Sequence, residues 1–236
     1  MYEENNVIQD VSGVSKFFTS VFSWMFIGLL VTALTAYLLV STGFAIPFLI
    51  NPILIGVFFI AEFILVFFIS KSLYSDALTA KKAKILFVVY SIINGITLSS
   101  IFYVYEIGLI YKAFLYTALM FGVMSIYGHY TKADLSKFGS ILIMGLVGVI
   151  IVTLLNYIFS FFGMYSGPLD VILAYITLFI FLGLTAFDVQ KLKAICNTNV
   201  ESEDRTQAVA IYGALSLYLD FINIFLSLLR ISSSRD

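Results

Sequence analysis

Charge is scarce in this chain. Asp, Glu, Lys and Arg make up 11% of its 236 residues, while 61% are hydrophobic. A soluble domain carries about 25% charged residues, so a water-soluble fold would lack the polar side chains to cover itself. The net charge of −1 gives no electrostatic footprint for nucleic acid, which is excluded as a partner. The single cysteine, Cys196, excludes an internal disulfide, and one histidine, His129, leaves no Cys/His set for zinc. No cofactor is implied. The N-terminus has no basic region and no small-residue cleavage site after its first apolar run. That run therefore reads as a retained span and not a signal peptide.

What remains is apolar and segmented. A helix crossing ~30 Å of hydrocarbon needs about 20 residues. Seven stretches fit: 17–40, 52–70, 85–105, 109–127, 139–162, 169–187 and 208–229. The short connections leave no room for a soluble domain. The expected fold is an all-α polytopic membrane protein with one seven-helix domain at 17–230. A polar cytosolic tail, 1–16, precedes it, and a short tail, 231–236, follows.

Basic residues set orientation. With the N-terminus in the cytosol, Lys16, Lys71, Lys81, Lys82, Lys84, Lys132, Lys137, Lys191, Lys193 and Arg205 fall inside; Lys112, Arg230 and Arg235 fall outside. This bias predicts seven crossings, N-terminus in and C-terminus out. His129 and the run Lys81-Lys82-Ala-Lys84 read as an interfacial residue and a topology signal.

Asp220 lies within the last apolar stretch, and Asp188 closes the one before it. A carboxylate near a bilayer centre costs roughly 2.5–3.5 kcal/mol on insertion scales. An acid kept at that cost marks an ion path, a proton relay or a pH sensor. Stepping by three and four from Asp220 gives a stripe of Gly213, Ser216, Asp220, Asn223 and Ser227. Small and polar residues on one face point to protein or water, so the seventh helix is expected to be central. Gly213, Ser216 and Ser227 are explained by helix packing; Asp220 is not. Glu62, in the middle of the second stretch, is the other deep acid and a candidate lining of a water-filled path. Asn94, Thr97 and Asn156 read as helix–helix hydrogen bonds.

Gly213-Ala-Leu-Ser-Leu-Tyr-Leu-Asp-Phe-Ile-Asn-Ile-Phe-Leu-Ser-Leu-Leu-Arg230 closely resembles the last helix of the Bax inhibitor family, the transmembrane BAX-inhibitor-motif proteins. Gly183-Leu-Thr-Ala-Phe-Asp-Val-Gln-Lys-Leu-Lys193 resembles the end of its sixth helix. Gly95-Ile-Thr-Leu-Ser-Ser-Ile-Phe102 and Phe121-Gly-Val-Met-Ser-Ile-Tyr-Gly128 are similar to bacterial members. The resemblance covers about Lys16 to Arg230. It implies six helices around a central seventh and a calcium leak in a bacterial inner membrane. It implies gating by pH through an aspartate pair, here Asp188 and Asp220, that holds calcium only weakly and transiently. Glu62 matches the acid of the family's second helix, and with Asn223 would line the ion path. The family's basic latch residue near the cytosolic end of that helix has Lys71 as its nearest counterpart, displaced in register.

The chemistry of such a pair follows from electrostatics. Two carboxylates a few ångströms apart in low dielectric resist ionising together and lose their protons as a coupled unit. One shared proton holds the helices together; its loss leaves two like charges and an oxygen-lined path suited to calcium. Counting rises of 1.5 Å per residue leaves the two acids about 12 Å apart in depth, a mismatch that tilt or bending must remove.

Three other functions fit less of the sequence. An intramembrane aspartyl protease needs two aspartates on adjacent helices. It also resembles GxGD and Pro-Ala-Leu motifs, and here the residues are Leu217-Tyr-Leu-Asp220 with neither motif. The expectation is that this is not an enzyme. A non-catalytic partner of membrane machinery, such as a quality-control protease, would use the acidic Met1–Asp10 segment as its handle. A proton-coupled carrier would show a pair of Gly/Pro-broken helices. The expected partners are membrane lipid, calcium and protons, with a membrane-protein partner on the second reading.

Overall fold

Asn51 and Pro52 begin a helix for two separate reasons. The Asn51 carboxamide oxygen accepts the backbone N–H groups of Ile53 and Leu54 at 3.0 and 3.4 Å, which is N-capping. Pro52 stands first in the helix, where a missing N–H leaves nothing unpaired. Ser166 and Ser202 act similarly through Leu169 and Arg205. Asp134 accepts the Ser136 N–H at 2.9 Å, and that bond holds its exposed carboxyl below the ordinary range.

The computed structural model describes residues 2–46, 51–70, 79–160, 162–163, 166–197 and 202–234. The helices are α1 (Tyr2–Ser41), α2 (Pro52–Ser70), α3 (Ala80–Leu98), α4 (Ile107–Tyr130), α5 (Ser136–Ser160), α6 (Gly167–Asn197) and α7 (Glu203–Ser233). A single turn, Ile101–Val104, follows α3. No strand occurs among the described residues. The fold is all-α and polytopic. Among the described residues six helices are long and apolar enough to cross a membrane, and the apolar run Gly56–Ser70 of α2 is shorter.

Several helices outrun their apolar stretches. Residues 2–16 continue α1 as helix. α6 runs ten residues past Phe187, and α7 starts five before Ala208. Lys71, Arg235 and Asp236 lie outside the described residues.

The outward surface is apolar. Phe26, Leu34, Phe63, Met144 and Val147 are all exposed. In water such apolar exposure would drive association; the acyl chains of a bilayer would cover it. The last span is 72% buried, against 6–44% for the other five candidates, so it has the least surface left for lipid.

The chain divides into two compact units, Met1–Val104 with Lys193–Tyr218, and Tyr105–Leu192 with Leu219–Asp236. In the first, α1 and α3 meet at glycine. A Cβ on Gly95 would lie 2.7 Å from the Thr32 carbonyl oxygen, so only glycine permits that approach. At one end of α3, the Ala80 N–H donates to Asp204 at 3.2 Å and Lys84 donates to Gln207 at 2.7 Å. The Lys84 ammonium also stands 5.6 Å over the Trp24 ring.

In the second unit, α4 and α6 meet at Gly128, where an added Cβ would fall 2.8 Å from the Ala186 Cα. Gln190 of α6 clips the α4–α5 turn, donating to Ala133 O at 2.7 Å and accepting from the Leu135 N–H at 2.9 Å. Phe221 sits edge-on to Phe114 and Phe121, with centroids 5.4 and 5.6 Å away. Arg230 pairs with Asp170 at 3.9 Å.

Candidate functional site

Each unit encloses one deep polar cluster. In the second unit it centres on Asp220, which is 3% exposed. The Arg230–Asp170 pair fixes a common level for α6 and α7. From that level Asp220 is about 15 Å along its helix, Thr185 about 22 Å and Asp188 about 27 Å. Asp220 nevertheless reaches the Thr185 hydroxyl as a hydrogen-bond partner and lies within electrostatic range of the Asp188 carboxylate. Thr185 stands three residues before Asp188, about one helical turn nearer.

The Thr185 hydroxyl also donates to Phe181 O at 2.8 Å. That one hydrogen serves either the Phe181 carbonyl or the Asp220 carboxylate, and when Asp220 carries a proton the acid can donate to the hydroxyl oxygen instead. Asp220 Oδ2 is buried with no hydrogen-bond partner among the described residues. A buried unpaired oxygen is costly, and this one offers free acceptor capacity beside a second carboxylate.

Two other members of the stripe point elsewhere. The Asn223 amide donates to Leu219 O at 2.8 Å, and the Ser227 hydroxyl donates to Asn223 O at 2.7 Å. Both side chains are turned onto their own helix. Among the described residues no group of three or more His, Cys, Asp or Glu is placed to hold a metal ion; the acids here are two.

The first unit's cluster centres on Glu62 of α2, which is 9% exposed. Thr97 of α3 donates to its Oε1 at 2.9 Å. The Asn94 side chain is a second hydrogen-bond partner of the same carboxylate. Asn94 Oδ1 accepts from the Tyr218 hydroxyl at 2.9 Å. The Tyr218 hydroxyl lies 2.6 Å from the Thr32 hydroxyl, which donates to Ser91 O at 3.0 Å. The Tyr218 ring is held edge-on by Phe87 and Tyr90, at 5.9 and 5.7 Å.

Of the residues singled out from sequence, Asp188 and Asp220 of the second unit are thus brought into mutual influence, and Glu62 of the first unit is enclosed with Asn94 and Thr97. Asn156 is used differently from expectation. Its side-chain Oδ1 accepts the Ser166 N–H at 3.3 Å, supporting the entry to α6. Thr185, Tyr218 and Thr32 were not foreseen. The only signal for Thr185 is its i−3 spacing from Asp188. Tyr218, two residues before Asp220, faces nearly the opposite way on α7.

The sequence model of the family described as "Inhibitor of apoptosis-promoting Bax1" matches residues 14–236. The chain is 39% identical over 234 residues to the inner membrane protein YbhL of Escherichia coli, covering 98% of this chain and 97% of that one. It is also 39% identical over 229 residues to an uncharacterized protein of Borreliella burgdorferi, covering 96% and 95%. A membrane protein of Streptococcus pyogenes is 36% identical over 227 residues, with 95% of each chain covered. With its apolar helices and these relatives, the protein is an integral multi-pass membrane protein, and it belongs to the Bax inhibitor family.

Proposed function

We propose that the protein is a calcium leak of the bacterial inner membrane, opened as the pH rises and the Asp188–Asp220 pair loses its last proton. The observation that carries this reading is Asp220: fully enclosed, holding an unpaired Oδ2, and acted on by Asp188. While the pair keeps a proton, Asp220 completes its contact with Thr185 and α6 and α7 stay together. Loss of that proton leaves two like charges in low dielectric, which repel. The freed oxygens suit calcium, a cation that prefers oxygen ligands. Two acids make a weak site, as permeation requires. Glu62 and Asn223 are assigned to the ion path.

The test is calcium flux into liposomes holding the purified protein, measured across pH for wild type and Asp220→Asn. Flux that rises with pH in wild type supports the reading; flux that ignores pH, or none, defeats it. In the same assay Glu62→Gln is expected to lower flux several-fold by removing a charge from the path. Unchanged flux at every pH would assign Glu62 a purely structural role.

The basic-residue bias supports a cytosolic N-terminus with the C-terminus outside. A reporter fused after Asp236 is expected to read as external. A cytosolic signal would mean that α7 turns back without crossing.

A further inference from the structure

Hydrogen counting in the first unit exposes more than a packed polar patch. Thr32 has one hydroxyl hydrogen and two partners, Ser91 O at 3.0 Å and the Tyr218 hydroxyl at 2.6 Å. Tyr218 also has one hydrogen and two partners, Thr32 and Asn94 Oδ1 at 2.9 Å. Thr97 repeats the pattern, between Glu62 Oε1 at 2.9 Å and Ile93 O at 3.2 Å. Asn94 carries a donor and an acceptor whose places exchange when the amide turns over. These contacts cannot all be satisfied by one fixed set of hydrogens.

Two sets satisfy the chain from end to end. With Glu62 ionised, every donor points toward it. Thr97 and the Asn94 NH2 donate to the carboxylate, Tyr218 donates to Asn94 Oδ1, and Thr32 donates to Tyr218. With Glu62 protonated, every donor is reversed. Glu62 donates to Asn94 Oδ1, the turned Asn94 NH2 donates to Tyr218, Tyr218 donates to Thr32, and Thr32 donates to Ser91 O. Thr97 is then free to donate to Ile93 O. In each set every hydroxyl hydrogen, and one of the two Asn94 amide hydrogens, has an acceptor along the chain; a mixture in which Tyr218 donates to Asn94 and Thr32 to Ser91 O leaves two oxygens 2.6 Å apart with no hydrogen between them.

We propose that Glu62, Asn94, Tyr218 and Thr32 form one hydrogen-bond chain with two opposite proton orderings, selected by whether Glu62 carries a proton. The chain carries the charge state of α2 through α3 and α7 to Thr32 on α1. Thr32 O is also the atom that Gly95 approaches, so the chain ends at a close backbone approach of α1 and α3. Among the described residues the titratable side chains facing Glu62 are Tyr90 and Tyr218. Both are phenols, and neither changes charge at moderate pH. Tyr218 is therefore a positioning residue for Glu62, and nothing in the aspartate pair requires it.

Infrared difference spectroscopy of the full chain in lipid nanodiscs tests this, comparing spectra across about pH 4–9, the range between ordinary carboxylates and phenols. Glu62→Gln identifies the Glu62 carboxyl band, and Tyr218→Phe identifies the Tyr218 C–O band while keeping its ring between Phe87 and Tyr90. In wild type the two bands are expected to change with one shared midpoint. In Glu62→Gln the Tyr218 band should lose its pH dependence. In Tyr218→Phe the Glu62 band should persist with its midpoint moved by about 0.5–1 pH unit, the size of one neutral hydrogen bond. If Tyr218→Phe does not fold, Thr32→Val, at the far end, should move the midpoint in its place.

A Tyr218 band that stays fixed while Glu62 titrates overturns the chain. So does a Glu62 that does not titrate over this range, or a Glu62 midpoint indifferent to both hydroxyl variants. Calcium does not enter the readout. A protein that carries no calcium but shows the shared midpoint refutes the leak and leaves the chain standing.

Discussion

Asp220→Asn should flatten the pH dependence of calcium flux and leave the protein folded. Asparagine keeps the shape of the side chain, and its NH2 can donate to the Thr185 oxygen as a protonated carboxyl would. What it removes is one of two titrating charges. The remaining Asp188 ionises with no like charge beside it, so no repulsion builds as pH rises. Asp188→Asn should act alike. On the proposed gate the two acids titrate as a unit, so the double variant should differ little from either single one. Asp220→Ala is a useful contrast. It deletes a buried side chain that Thr185 contacts, and it should lower thermal stability as well as alter flux. The measurements are flux against pH and a melting curve for each variant. Single Asn variants whose pH profiles match wild type would remove the pair from the gate.

The largest effect on stability is expected at Gly128. A Cβ there meets the Ala186 Cα at 2.8 Å and its carbonyl carbon at 2.9 Å. Both are backbone atoms of α6, and no rotamer change relieves the clash. Gly128→Val should therefore destabilise by about 1–3 kcal/mol or more through forced separation of α4 and α6. At about 2–4 °C per kcal/mol for a chain of this size, the melting temperature should fall by several degrees. Gly148 of α5 has nothing within 4 Å of its added Cβ, and Gly148→Val should melt close to wild type. Gly139 and Gly183 are intermediate, since their added Cβ atoms meet the Phe187 ring and a Leu142 methyl group, which can rotate away. Ala186 follows Thr185 directly, so a shifted α6 in Gly128→Val should also disturb the Asp220 contact. Equal melting of Gly128→Val and Gly148→Val would show that the helices do not meet as described.

The spans and deep acids were legible because the membrane makes their signals large. An apolar run of about 20 residues has few other uses, and a mid-span carboxylate stands out at its cost. Helix ends were less legible. Outside the hydrocarbon, a polar helical turn has no hydropathy signature, so the extensions of α1 to Tyr2, α6 to Asn197 and α7 back to Glu203 left no mark. The partners of the acids were not legible at all. Thr185 and Thr97 each bond their own helix as well as an acid, and only the first of these uses is local. Tyr218 sits among apolar neighbours in sequence; its meaning comes from Thr32 and Asn94, which are 186 and 124 positions away. Asn223 belonged to the polar stripe by spacing, yet its amide turns back to Leu219, a choice that helical periodicity does not reveal.

Trp24 is the only tryptophan in a chain with fifteen tyrosines. Light absorbed by those phenols has one indole to drain into, and that indole lies under the Lys84 ammonium. Its emission therefore reports one address, the junction of α1 with the start of α3 and the Gln207 end of α7. The unmodified protein carries its own optical gauge of that junction, with no label to attach and no second indole to subtract.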